Sequence, residues 1–242
     1  AKARDPLWLA YLGAYLQTVA CLRIVHVKRS YPIRVYHTWI EFFCRRGKQR
    51  HNRQGFYWGA PATTTEGYRW VDDFLPAWQA LPAHLRSNGA AGCCFKLDTK
   101  DGEHAVLRSP TINDVARTAV AEVVENPEIL TPSSWREVLP TLALKLQFPA
   151  PQRISLNDWQ DPSLASRGGE APITLRYAQD KRTLSRESKM RCFKVMTLLR
   201  EQNVATLGNV TEAGWAELNE QSKPTQGDAF DPISSGGTRM WQ

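Results

Sequence analysis

Residues 6–22 carry no charged side chain, and an apolar pattern continues to residue 27. A helix over residues 7–27 is apolar on nearly every side, which places it at the centre of a core. The run follows Lys2 and Arg4, so it imitates a signal peptide or a short membrane span. A span needs about 20 apolar residues, and this run is interrupted by Gln17 and Thr18. The expectation is therefore a central buried helix with the remainder packed around it. The chain has 242 residues, enough for one large domain or two small ones. It does not start with Met, so a processed chain or a piece of a longer one is expected.

Beyond the helix, Pro32 disfavours helical backbone in the residue before it. Residues 33–43 then turn β-branched and aromatic, through Val35, Tyr36, Trp39, Ile40, Phe42 and Phe43. A basic stretch at 45–55 (RRGKQRHNRQG) leads to Phe56, Tyr57 and Trp58, which predicts a β-hairpin with a long, positively charged connection. A helix interrupted by Pro76 and Pro82 is expected over 71–85, and a short hairpin over 94–107 turning at Asp101-Gly102. Thr111 is expected to cap a helix over 112–124, and Thr131-Pro132-Ser133 to open one through 146 that Pro140 kinks or divides. Residues 160–172 read as a loop, 184–202 as a final helix, and 223–242 as a flexible tail. The fold class is α+β, mostly helical with a small antiparallel sheet, in one domain over residues 1–222.

The formal charge is +7, from 31 basic and 24 acidic residues. That balance favours a polyanionic partner, because each phosphate contact releases condensed counterions. No glycine-rich phosphate loop, zinc-hydrolase motif or G-x-S-x-G elbow occurs. The cysteines (Cys21, Cys44, Cys93, Cys94, Cys192) lack metal-ligand spacing and read as reduced, mostly buried thiols. Most of the nine tryptophans are expected in the core.

Basic residues spaced along the chain carry a resemblance. Ala20-Cys21-Leu22-Arg23-Ile24-Val25-His26 resembles the G-L-R-[IV]-x-E signature of the tyrosine recombinase (phage integrase) family. Arg45-Arg46-Gly47-Lys48-Gln49-Arg50 is similar to that family's K-G-K-x-x-R turn. Thr131-Pro132-Ser133-Ser134-Trp135-Arg136, with Leu139-Pro140-Thr141, resembles its T-P-H-x-L-R-H-x-x-A-T box. Leu156-Asn157-Asp158-Trp159 is similar to its L-G-H or G-G-W box, and Tyr177 falls where the family has its nucleophile. The resemblance covers roughly residues 7–200 and is closest to divergent eukaryotic, transposon-associated members. Two departures stand out: Ser133 where the family has histidine, and His26 where it has an acid.

The resemblance implies a tyrosine-recombinase-like catalytic domain that breaks and rejoins double-stranded DNA through a 3′-phosphotyrosyl intermediate. It needs no cofactor, metal or ATP. Arg23 and Arg136 would clamp the scissile phosphate through paired hydrogen bonds. Lys48, among Arg45, Arg46, Arg50 and Arg53, would protonate the leaving 5′-oxygen. Trp159 would position the phosphate, and Tyr177 would attack it. Arg182, Arg186 and Lys189 share a helix face that is either solvated or set against the DNA backbone, like the cluster Arg45, Arg46, Arg50 and Arg53.

Structural readings stand beside these. Arg23 can complement a helix C-terminal dipole, whereas Arg136 in a first turn would oppose one and favour an anion. Lys48 can belong to a solvated loop, Trp159 to the core, Tyr177 to a strand or interface, and Ser133 to an N-cap. Tyr11, Tyr15, Tyr36, Tyr57 and Tyr68 compete as nucleophiles. The alternative functions are a catalytically degenerate DNA-binding module with the same fold and an unrelated RNA-binding or scaffold protein. Expected partners are double-stranded DNA and further copies in a tetrameric synapse, with no membrane. The expected location is intracellular, with the DNA, and the nucleus in a eukaryote.

Overall fold

A computed structural model describes residues 6–44, 56–80, 96–98, 104–106, 109–122, 124–156, 179–224 and 238–239. It is mostly helical with a small antiparallel sheet, as the residue pattern predicts. The central helix is there, but in two pieces, α1 (Pro6–Ala20) and α2 (Ile24–Lys28). Between them Cys21 takes φ 55°, a left-handed conformation that costs a residue with a side chain about 1–2 kcal/mol. Gln17 explains how the break is tolerated. Its buried Oε1 accepts the first N–H of α2, from Ile24, at 3.1 Å. The polar interruption of the apolar run is thus the cap of the next helix.

The aromatic stretch after α2 is a hairpin in itself. Strand β1 (Ser30–Val35) turns through Tyr36, whose N–H donates to Trp39 O, into β2 (Trp39–Cys44). Strand β3 (Phe56–Pro61) pairs with β2 across the basic connection. The register of β1 shifts between Pro32 and Arg34, where proline supplies no N–H to a regular ladder. Thr238–Arg239, expected in a flexible tail, instead forms a short strand antiparallel to β1 at Arg34 and Val35.

Alternation along β2 and β3 divides their side chains between two faces. Ile40, Phe42, Cys44, Trp58 and Ala60 join Leu9, Leu12 and Leu16 of α1 in the first core cluster. There Phe42 stacks on Trp58, centroids 4.3 Å apart. Helix α3 (Val71–Gln79) adds Val71, Phe74 and Trp78, and continues through Pro76. The hairpin strands Lys96–Asp98 (β4) and His104–Val106 (β5) pair as expected. Helix α4 (Ser109–Val120) starts earlier than the predicted cap at Thr111.

Thr131 caps α5 (Pro132–Arg136), accepting from Ser133 N while its own N–H donates to Ser134 Oγ. The cap is therefore Thr131, and not Ser133. Helix α6 (Val138–Lys145) follows after a break at Glu137. Pro140 gives the reason, since its ring lacks an N–H and crowds the carbonyl four residues back, at Arg136.

Helices α6, α7 (Ala150–Leu156), α8 (Gln179–Glu201) and α9 (Glu212–Ser222) build the second core cluster, which includes Cys21, Leu139, Leu142, Cys192, Val195, Trp215 and Leu218. Helix α8 joins the two halves, with Phe193 in the first cluster and Cys192 and Val195 in the second. It begins ahead of the expected residue 184 and is not the last helix. The signal for α9 was local: Thr211 accepts from Gly214 N, ahead of Trp215 and Leu218 at a spacing of three. No helix among the described residues is long and apolar enough to cross a membrane.

Candidate functional site

Arg23 occupies the N-cap of α2 with φ −68° and ψ 141°, and its carbonyl accepts from His26 N. It does not end the apolar helix, so the C-terminal dipole account of this arginine does not hold. His26 follows one turn later and is buried, 1% exposed. Two hydrogen bonds fix its backbone to the sheet: Ser30 Oγ donates to His26 O at 2.6 Å, and Trp58 Nε1 donates to Ser30 Oγ at 2.7 Å.

Arg136 ends α5, not its first turn, so the dipole argument for an anion partner fails there too. Its guanidinium donates to Ser133 Oγ at 3.2 Å. Helix α5 packs against α1, and Leu139, three residues past Arg136, shares a core cluster with Cys21, two residues before Arg23. Segments more than a hundred residues apart in sequence thereby meet. Both arginines are half-buried.

His26 registers the meeting. Burial pushes its imidazole down to about 4, and the charges of Arg23, Arg29 and Arg136 push in the same direction. The imidazole is therefore neutral near pH 7. Its ring sits edge-on to Phe56, centroids 5.5 Å apart. Phe56 opposes Cys44 in the ladder, so these two residues are the roots of the basic connection at 45–55. Two arginines and the base of the basic connection thus converge on one buried histidine.

The first turns of α8 reach the same end of the sheet. Arg182 is exposed and lies 3.7 Å above the ring of Tyr57, next to Phe56. Arg186 and Lys189 differ from expectation. Both are buried, Arg186 3% and Lys189 0% exposed, so neither is available to a DNA backbone. Arg186 lies over Tyr36 and Trp39, on the second face of the sheet. That face carries Glu41, whose carboxyl burial pushes up while Arg34, Arg182 and Arg186 pull it down. Its signal was one acid inside the apolar strand WIEFFC, and it was missed because alternation alone would have left it in solvent.

Most competing tyrosines have structural engagements. Tyr15 donates to Thr63 O at 2.6 Å, Tyr36 accepts from Arg34, Tyr57 lies under Arg182, and Tyr68 donates to Asp73. Tyr11 is 41% exposed on α1. Tyr177, Lys48, Trp159, Arg45, Arg46, Arg50 and Arg53 lie outside the described residues. The thiols of Cys21, Cys44 and Cys192 are buried and unbridged, and burial pushes that of Cys192 up.

The buried histidine predicts an acid-sensitive fold. The native state resists protonation of His26 while the unfolded chain accepts a proton near pH 6.5. Stability is thus unaffected above that value and falls as pH drops toward 4. Between pH 7 and pH 4.5 the loss from this group is about 2 kcal/mol. Urea unfolding at both pH values checks it, and His26→Gln is expected to remove that share of the loss.

No family model, curated protein or solved structure matches this chain.

Proposed function

We propose that the protein is a DNA strand-breaking and rejoining enzyme of the tyrosine recombinase kind, with Arg23 and Arg136 holding the scissile phosphate and Tyr177 attacking it. The observation that carries this reading is the convergence at His26. Arg23, Arg136 and the root of the basic connection come together there, and Arg182, in the first turns of the helix that follows Tyr177 in sequence, lies over Tyr57 at the same end of the sheet but on its other face. Negative charge that builds on the non-bridging oxygens is stabilised by fixed guanidiniums better than by mobile water. Attack by the Tyr177 oxygen forms a 3′-phosphotyrosyl bond and breaks the bond from phosphorus to the 5′-oxygen, which Lys48 would protonate so that it leaves as a 5′-hydroxyl. The intermediate keeps the phosphodiester's energy, so the reverse attack rejoins the strand. Double-stranded DNA is the substrate. Self-association on it is part of the proposal, through the resemblance.

The test is covalent trapping on a nicked, labelled DNA substrate drawn from a pooled sequence library. The native chain is expected to give an adduct that survives denaturation, and Tyr177→Phe to give none. A native adduct that persists in Tyr177→Phe would move the nucleophile elsewhere. Salt-sensitive DNA binding without any adduct would leave a binding module in place of an enzyme, the reading that Ser133 and His26 favour.

A further inference from the structure

Three aromatic side chains cross the second face of the sheet in one row. Tyr31 opposes Phe43 between β1 and β2, and Phe43 opposes Tyr57 between β2 and β3. Their ring centroids are 5.8 and 4.8 Å apart, so the row is continuous over three strands. Cross-strand pairs of this kind stabilise a sheet by themselves. They do not account for the outer end of the row. Tyr57 is 43% exposed, and the guanidinium of the exposed Arg182 lies 3.7 Å above its ring. The row stands one residue from the strand ends at Cys44 and Phe56, which the basic sequence RRGKQRHNRQG joins. The single acid in these three strands, Glu41, is buried two residues before Phe43.

We propose that the row Tyr31, Phe43 and Tyr57, with Arg182 above it, is a stacking platform for an unpaired base of a DNA strand. A base stacks on an aromatic ring or on a guanidinium plane, and the phosphates beside it favour basic surroundings. An apolar peptide would use the rings and not the charge. A second copy of this chain, itself at +7, would bring like charge to a basic end. The inference rests on the DNA partner of the reading above, and it does not depend on cleavage. It adds a nucleic-acid contact on the face opposite Phe56 and His26, at the same end of the sheet. Where a strand is broken and rejoined to another, unpaired bases arise beside the break. Stacking uses a π-face that every base has, so the platform accepts any base.

The experiment compares two labelled duplexes by anisotropy titration of the full chain at fixed salt. One has a single unpaired thymine in mid-strand, and the other an abasic sugar at the same position. The phosphates are the same in both, so the difference isolates the base from the charge. The native chain is expected to bind the thymine duplex about tenfold more tightly, within the range of one stacked base. Tyr57→Leu should lose that preference and Tyr57→Phe keep it. The native comparison needs no variant, so a folding defect in Tyr57→Leu does not blunt the test. Equal affinity for the two duplexes, with a covalent adduct that Tyr177→Phe abolishes, would overturn this inference and leave the strand-breaking reading intact. A preference that survives in Tyr57→Leu would place the base elsewhere and overturn it as well. So would self-association that Tyr57→Leu abolishes, without any preference for the base, since the row would then be a contact between copies. No binding to either duplex, with no adduct, would overturn both readings.

Discussion

Arg136→Ala is expected to lower covalent adduct formation by about a hundredfold to a thousandfold, the usual effect of removing one fixed donor to a developing oxyanion. Arg136→Lys keeps the charge but not the planar fork, so most of the loss should remain. The fold should behave in the opposite way. Arg136 makes one side-chain hydrogen bond to Ser133 among those described, and its charge works against His26. Removing it relieves that repulsion, so Arg136→Ala should keep its stability at pH 7 and lose less of it on acidification. A residue that adds little to stability at neutral pH, lowers it in acid and is needed for chemistry is the expected signature of a functional site. The measurements are adduct yield in single turnover and urea midpoints at pH 7 and pH 4.5. A variant that cleaves normally, or that unfolds in parallel with its lost activity, would assign Arg136 a structural role instead.

The second large effect lies away from the site. A methyl group added at Gly59 would stand 2.4 Å from Cζ2 of Trp39, inside the indole's contact distance. Trp39 has little room to retreat, because it is 3% exposed and lies below Arg186 of α8. Gly59→Ala should therefore destabilise by about 3 kcal/mol or more, at the upper end of overpacking effects. Replacing the indole removes the atoms that clash. The pair Gly59→Ala with Trp39→Leu should then be less destabilised than the two single changes summed, by more than about 1 kcal/mol. Urea unfolding of the four proteins measures this coupling. Additive losses would mean that the sheet moves to accommodate the methyl group and that Trp39 is not the obstacle.

Parts of this architecture were legible because their causes are local. Thr131-Pro132 starts a helix and Pro140 divides it, since a cap and a missing N–H act within one turn. The strands around 33–43 and 56–58 follow from β-branched and aromatic side chains that suit a pleated surface. Other features misled for equally physical reasons. The break at Cys21 depends on Gln17 reaching across to Ile24, a contact that an apolar helical pattern conceals. The basic face of α8 looked like a DNA contact because spacing shows which residues share a face and not what covers it. Arg186 and Lys189 prove to be buried.

The candidate site shows the same division. By itself the sequence determined a central apolar helix, a small antiparallel sheet, a net charge of +7 and the order in which arginines, lysine and tyrosine follow one another. These depend on side-chain type and on spacing within a few residues. Only the tertiary structure decided that Arg23 and Arg136 act on the same buried imidazole, and that the imidazole sits against the root of the basic connection. That convergence comes from the packing of α5 on α1 and of α2 on the sheet. It is set by the shapes of surfaces distant in the chain, and Coulomb's law then acts on the distances that the packing leaves.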